Sequence, residues 1–184
     1  FGSLLALKIA NILESLDKDG HVMMIDGSPQ FVRKISHNLL SDVLGDDDKI
    51  RQRVLGLCMK SMEPSISEGS IAEILKEKTF EARYEKFKEN SKNENSYSAS
   101  YIQEFTEAMY NRTKMALEID ENSLPVLQNT PICLLKSAEI SLSDLPDDFG
   151  LQKFTQHTIK MHKIDGNHQT ILKNSELIKL LNEA

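Results

Sequence analysis

Apolar and polar positions divide the chain into three regimes. From Ser3 to Leu16, the residues Leu5, Ile9, Ile12, Leu13 and Leu16 recur at helical spacing, and Ala6 and Ala10 keep a second side slim. A helix this apolar is expected to pack against a sheet over most of its surface. Asp17-Lys18-Asp19-Gly20 ends it with glycine in the C-terminal position. The run His21-Val22-Met23-Met24-Ile25 is short and uniformly apolar, the pattern of a buried parallel strand. It stops at Asp26-Gly27, as a strand does when it delivers a carboxylate to the sheet edge and turns on a glycine. Helix, tight turn, strand and Asp-Gly form the second half of a βαβ unit, whose first strand is expected ahead of Phe1.

From about Gln30 to Asp120 the pattern becomes helical only. Phe31, Val32, Ile35, Leu39, Leu40 and Val43 mark one amphipathic segment. Ile50, Val54, Leu57 and Cys58 mark a second, with Asp46-Asp47-Asp48 favourable at its N-terminus. A third begins near Ser70 with Ile71, Ile74 and Leu75, and continues through Phe80, Tyr84 and Phe87 after a shift of face. The polar stretch 89–96 is expected to be a loop. A fourth helix carries Tyr101, Ile102, Phe105, Ala108, Met109 and Met115. Helices inserted in this way between strands of one sheet form a lid, with a separate helical domain as the alternative.

The strand pattern resumes after Asn122-Ser123-Leu124-Pro125. Thr130–Ser137 reads as a second buried strand, 138–153 as a polar connection, and His157–Ile164 as an alternating, edge-type strand. Asp165-Gly166-Asn167-His168 is the loop at its end, and a short helix runs through Ser175–Leu181. The class is α/β, with a mostly parallel and incomplete sheet. A core of residues 1–29 and 123–184 holds a helical lid insertion of residues 30–122.

Composition narrows the partners. The chain has 184 residues, 40% of them hydrophobic and 27% charged, as soluble globular chains do. A net charge of -6 with dispersed basic residues points away from nucleic acid. The apolar runs are far too short for a membrane span, so no membrane partner is expected. Cys58 and Cys133 are the two cysteines, both in apolar surroundings, which fits buried reduced thiols and a cytoplasmic location.

Asp26 and His168 are the pair that can carry chemistry. A catalytic histidine needs one ring nitrogen facing a nucleophile and the other held by a carboxylate. In α/β-hydrolases the triad runs in the order Ser, acid, His, with the serine on a G-x-S-x-G elbow between strand and helix. Here the acid precedes the histidine and the chain opens straight into a helix. If Phe1-Gly2 are the last two positions of that elbow, the nucleophile stands immediately before Phe1, and the Phe1 backbone N–H is an oxyanion donor. Taken singly, Asp26 also reads as a helix N-cap or turn residue, and His168 as a loop residue capping the next segment. Asp165 is a rival acid on the same turn as His168. Ser3, one position past Gly2, reads as a close-packing helix residue. His157 and His162 fall on opposite faces of one strand, and no Cys/His cluster has metal spacing, so no metal is expected. Met59, Met62, Met109 and Met115 read as lid core or as the lining of an acyl groove.

Three blocks carry a family resemblance: Phe1-Gly2-Ser3-Leu4-Leu5-Ala6, Ile25-Asp26-Gly27-Ser28-Pro29, and Ile164-Asp165-Gly166-Asn167-His168-Gln169-Thr170-Ile171-Leu172. In order and spacing, the chain resembles the C-terminal thioesterase domain of animal type I fatty acid synthase over nearly its whole length. Its helical region suggests an insect-like or other invertebrate version. The resemblance implies the C-terminal part of an α/β-hydrolase fold with a helical lid. It implies serine-type hydrolysis of a long-chain fatty acyl thioester carried on the phosphopantetheine of an acyl carrier protein domain in the same polypeptide. It also implies Asp26 and His168 as triad acid and histidine, with no cofactor for the thioesterase step itself. Asn167 stands where the vertebrate form commonly has aspartate. The chain by itself, without a nucleophile, is expected to be inactive and to fold poorly. The alternatives are a polyketide or nonribosomal-peptide thioesterase, and a non-enzymatic hydrolase-like protein that binds an acyl group or a partner.

Overall fold

The computed structural model describes residues 2–91, 97–140, 144–168 and 170–182. In chain order the elements are α1 (Gly2–Ser15), β1 (Val22–Ile25), α2 (Pro29–Leu40), α3 (Asp47–Met62), α4 (Glu68–Leu75), α5 (Phe80–Asn90), α6 (Ala99–Leu117), β2 (Ile132–Ser137), β3 (Lys160–Ile164) and α7 (Ser175–Asn182). They form two compact units, one of Phe1–Ile35 with Glu118–Ala184 and one of Ser36–Leu117. The division falls inside α2. Residues 92–96 of the expected polar loop lie outside the described residues, as does Phe1.

The first unit is built on a three-stranded parallel sheet in the order β1-β2-β3. Val22 pairs with Ile132 and Ile25 with Leu135, while Leu135 pairs in turn with His162 and Ser137 with Ile164. Alternation sends Val22, Met24, Ile132 and Leu134 into a core with Leu7 and Ala10 of α1. The other face meets a smaller cluster of Leu135, Ile164, Ile171 and Leu177, the last from α7. The sheet is packed on both faces at β1 and β2, which is why these two strands read as mainly apolar runs, whereas the edge strand β3 is largely exposed.

Several expectations change in three dimensions. α1 buries Leu4, Leu7 and Ala10, whereas Leu5, Ile9, Ile12, Leu13 and Leu16 are 42–60% exposed. Its apolar surface is wider than the one face this sheet can cover. The turn after β1 uses Asp26 itself in the left-handed region, at φ 51°, and not Gly27. Aspartate tolerates that region better than most side chains. Ser28 then caps α2 by accepting the Phe31 amide at 2.9 Å, with Pro29 in the first helical position. The connection 138–153, of which 141–143 lie outside the described residues, is not simply polar: Phe149 and Leu151 enter the main core, as does Phe154 just after it. Phe149 stacks on Phe31 at 4.4 Å, and its carbonyl accepts the Ser28 hydroxyl at 2.6 Å. β3 is shorter than expected, since Thr155 bridges to Leu127 and the Gln152 side chain engages the His157 carbonyl before the ladder begins.

The second unit consists of helices around two clusters. Leu55, Met59, Ile66, Ile74, Phe87 and Ile102 form one, and Leu40, Ile50, Val54, Cys58 and Tyr110 the other. The expected single helix from Ser70 to Phe87 is two, α4 and α5. The shift of face is a real break, where Thr79 caps α5 by accepting the Ala82 amide. Asp46 and Ser67 cap α3 and α4 in the same way. Tyr110 donates its hydroxyl to Asp47 at 2.8 Å and lies under the Arg51 guanidinium, 3.7 Å from ring centroid to carbon. No described helix is long and apolar enough to cross a membrane.

Two tethers fix the ends of the first unit's strands. Glu14, on the last turn of α1, accepts the backbone amides of Gln128, Asn129 and Thr130 at 3.0, 2.8 and 2.6 Å. Partial burial opposes its charge, but these donors and the Thr130 hydroxyl outweigh it and hold the carboxyl below its ordinary value. A depressed carboxyl adds stability above the unfolded-state value, about 4.3, and loses it as pH falls through the folded-state value. Glu14→Gln should therefore lower stability at pH 7 by about 1 kcal/mol. The gap in thermal midpoint to the parent should close between pH 5 and pH 3. The second tether is Gly166, whose φ of 114° is left-handed and whose absent Cβ would stand 2.7 Å from Thr170 Oγ1. That oxygen accepts the Asn167 amide at 2.9 Å. Gly166→Ala should cost about 1–2 kcal/mol in denaturant unfolding, with no change in m.

Candidate functional site

The site assembles at the carboxyl ends of the three strands. The ladder between β1 and β2 continues one residue past Ile25, where the Asp26 amide donates to the Leu135 carbonyl at 2.9 Å. That bond and the left-handed turn aim the Asp26 side chain along the sheet top, where it is 1% exposed. Burial of a carboxylate demands donors. Ser137, the last residue of β2, supplies its amide to Oδ1 at 2.9 Å and its hydroxyl within 3.0 Å of Oδ1 and 2.9 Å of Oδ2.

The remaining partner comes from beyond β3. Ile164 ends the strand, and its carbonyl accepts the Ala138 amide at 2.8 Å, which holds the next turn beside β2. Gly166 reverses the chain and Asn167 and Thr170 close it, the Thr170 amide donating to the Asn167 carbonyl and side chain, each at 3.1 Å. Asn174 Nδ2 donates to the Asp165 carbonyl at 2.9 Å. From this turn, His168 places Nδ1 3.0 Å from Asp26 Oδ2.

The two residues singled out from the sequence are thus hydrogen-bonded across 142 positions of chain. The rival acid Asp165 has an exposed side chain on the same turn. The His168 side chain is 68% exposed, so its ring is anchored at one edge and open at the other. With Nδ1–H donating to Asp26, the Nε2 lone pair is left to accept a proton.

Other candidates do not join this group. Ser3 is buried on α1. Met59 is fully buried in the second unit's core, Met62 and Met109 pack against the cores there, and Met115 is exposed. The thiols of Cys58 and Cys133 are free. Burial pushes both upward, opposed at Cys133 by the Lys160 charge. Neither is therefore primed as a nucleophile. No three metal-ligating side chains gather among the described residues. The Phe1 amide lies outside them. Ser137 was missed in the sequence, although a signal exists: with Lys136 it makes the polar end of the run Ile132–Ser137, just past Leu135, the partner of Ile25.

No family model matches the chain, and no curated protein sequence matches it. Solved structures do. The Vlm2 thioesterase domain, carrying a genetically encoded 2,3-diaminopropionic acid and bound with a dodecadepsipeptide, aligns with a TM-score of 0.57 at 16% identity. The match covers 99% of this chain and 62% of that one. A holo four-domain nonribosomal peptide synthetase bound to AMP and glycine aligns with a TM-score of 0.55 at 13% identity, over 97% of this chain and 13% of that one. The chain thus spans less than two thirds of the Vlm2 chain it matches. The likeness is one of fold: this is an α/β chain with a three-stranded parallel sheet, as in the Vlm2 thioesterase domain it aligns with.

Proposed function

We propose that this chain supplies the acid and the histidine of a serine-type thioesterase that releases an acyl group from a carrier protein. The observation that carries the reading is the hydrogen bond between a buried Asp26 and the anchored edge of His168 at adjoining strand ends. In this reading His168 Nε2 takes the proton of a serine nucleophile as its oxygen attacks the thioester carbonyl. Asp26 stabilises the resulting imidazolium. The tetrahedral intermediate collapses, the C–S bond breaks, and the leaving sulfur takes the proton from Nε2. A water, deprotonated by the same nitrogen, then hydrolyses the acyl-serine and regenerates both groups. The thioester arrives on phosphopantetheine, and in this reading the helices of the second unit have the role of a lid.

Two substrates compete within this chemistry. The Asp26-Gly27-Ser28-Pro29 and Gly166-Asn167-His168 blocks favour a long-chain fatty acyl group on the acyl carrier domain of a fatty acid synthase. The fold likeness to peptide-synthetase thioesterase domains supports a peptidyl group on a peptidyl carrier equally well.

In the full-length protein, Asp26→Asn and His168→Ala should each lower kcat for acyl-pantetheine thioester hydrolysis by about a thousandfold or more. Turnover near that of the parent would remove both residues from the mechanism. Assayed with palmitoyl- and peptidyl-pantetheine side by side, a kcat/KM at least about a hundredfold higher for the fatty acyl substrate decides for the first reading, and the reverse ratio for the second.

A further inference from the structure

An aspartate side chain has a soft terminal torsion, so one hydrogen bond to one oxygen leaves its carboxylate plane free to swing. At Asp26 the Ser137 amide fixes Oδ1 at 2.9 Å. The Ser137 hydroxyl sits 3.0 Å from Oδ1 and 2.9 Å from Oδ2, straddling the carboxylate. Amide and hydroxyl of a single residue therefore define the plane, and only then does Oδ2 stand 3.0 Å from His168 Nδ1. Ser137 is 0% exposed, so water does not substitute for the hydroxyl. Its own position is fixed by the ladder, where it pairs with Ile164. The hydroxyl holds one proton for two oxygens. It can serve Oδ1 while His168 donates to Oδ2, and it can swing to Oδ2 when the imidazole turns away.

We propose that Ser137 is a positioning residue for His168, acting through Asp26 by locking the plane in which the carboxylate presents Oδ2 to the ring. The proposal rests on the catalytic reading of Asp26 and His168 for its kinetic consequence. Its geometric consequence stands apart from that reading.

The test uses the full-length protein labelled with 15N-histidine. Ser137→Ala should lower kcat for acyl-pantetheine hydrolysis by about tenfold or more, the loss expected for one hydrogen bond to a charged group, with KM within about twofold of the parent. Ser137→Thr, which keeps the hydroxyl, should restore most of it. Ser137→Cys keeps the volume with a weaker donor, and should lose activity as the alanine variant does. It stands in if the alanine variant does not fold. The downfield Nδ1–H resonance of His168, identified by its absence in His168→Ala, should broaden or vanish in the alanine and cysteine variants and persist in the threonine variant. A variant lacking the hydroxyl with a lowered melting temperature but parental kcat and an unchanged resonance would overturn the proposal. If Asp26→Asn and His168→Ala retain full turnover, the catalytic reading fails separately, and the resonance alone decides whether Ser137 positions the ring.

Discussion

The carboxylate of Asp26 is buried at the top of a parallel sheet, and the local structure of the first unit depends on satisfying it. It takes donors from the end of β2 and from the turn beyond β3, so all three strand ends meet at one pair of oxygens. A parallel sheet makes this possible because its strands end together on one side. A buried carboxylate left without those donors costs far more than the hydrogen bonds return, so this constraint also fixes the register of the strands that bring them.

The surroundings show what holds that arrangement still. Asp26 adopts a left-handed backbone two residues before Ser28 caps α2, so the turn that orients the buried carboxylate also starts a helix. Ser28 binds the carbonyl of Phe149, which stacks on Phe31 from the first turn of the same helix. Lys136, one residue before Ser137, lies 4.5 Å over the Phe149 ring and bonds Asp147 at 3.2 Å. The connection between β2 and β3 is thereby packed against the start of α2, and strand ends far apart in sequence share one apolar support.

The histidine is held differently. Its loop has short local bonds around Asn167 and Thr170, a glycine where a Cβ would collide, and an amide from Asn174 on the Asp165 carbonyl. The ring itself stands in solvent on its outer edge. A rigid buried acid beside a histidine open to solvent suits a group that must give and take protons with a third partner, since the buried end sets orientation and the open edge gives access.

Period and punctuation alone determined a good deal. The apolar runs of Val22–Ile25 and Ile132–Leu135 read as buried strands, and Ile-Asp-Gly at 25–27 and 164–166 as the ends of β1 and β3. Those patterns are local, so they survive without knowledge of the fold. The chain could not say which side of α1 would be buried, because its apolar residues run round most of the helix and only the area of one sheet face decides among them. It could not separate Phe149, Leu151 and Phe154 from the polar residues around them, since no period connects a loop to the core it plugs. Above all, it could not show Ser137 facing Asp26. That contact spans 111 positions and depends on parallel register, which side-chain period leaves free and the packing of two sheet faces fixes.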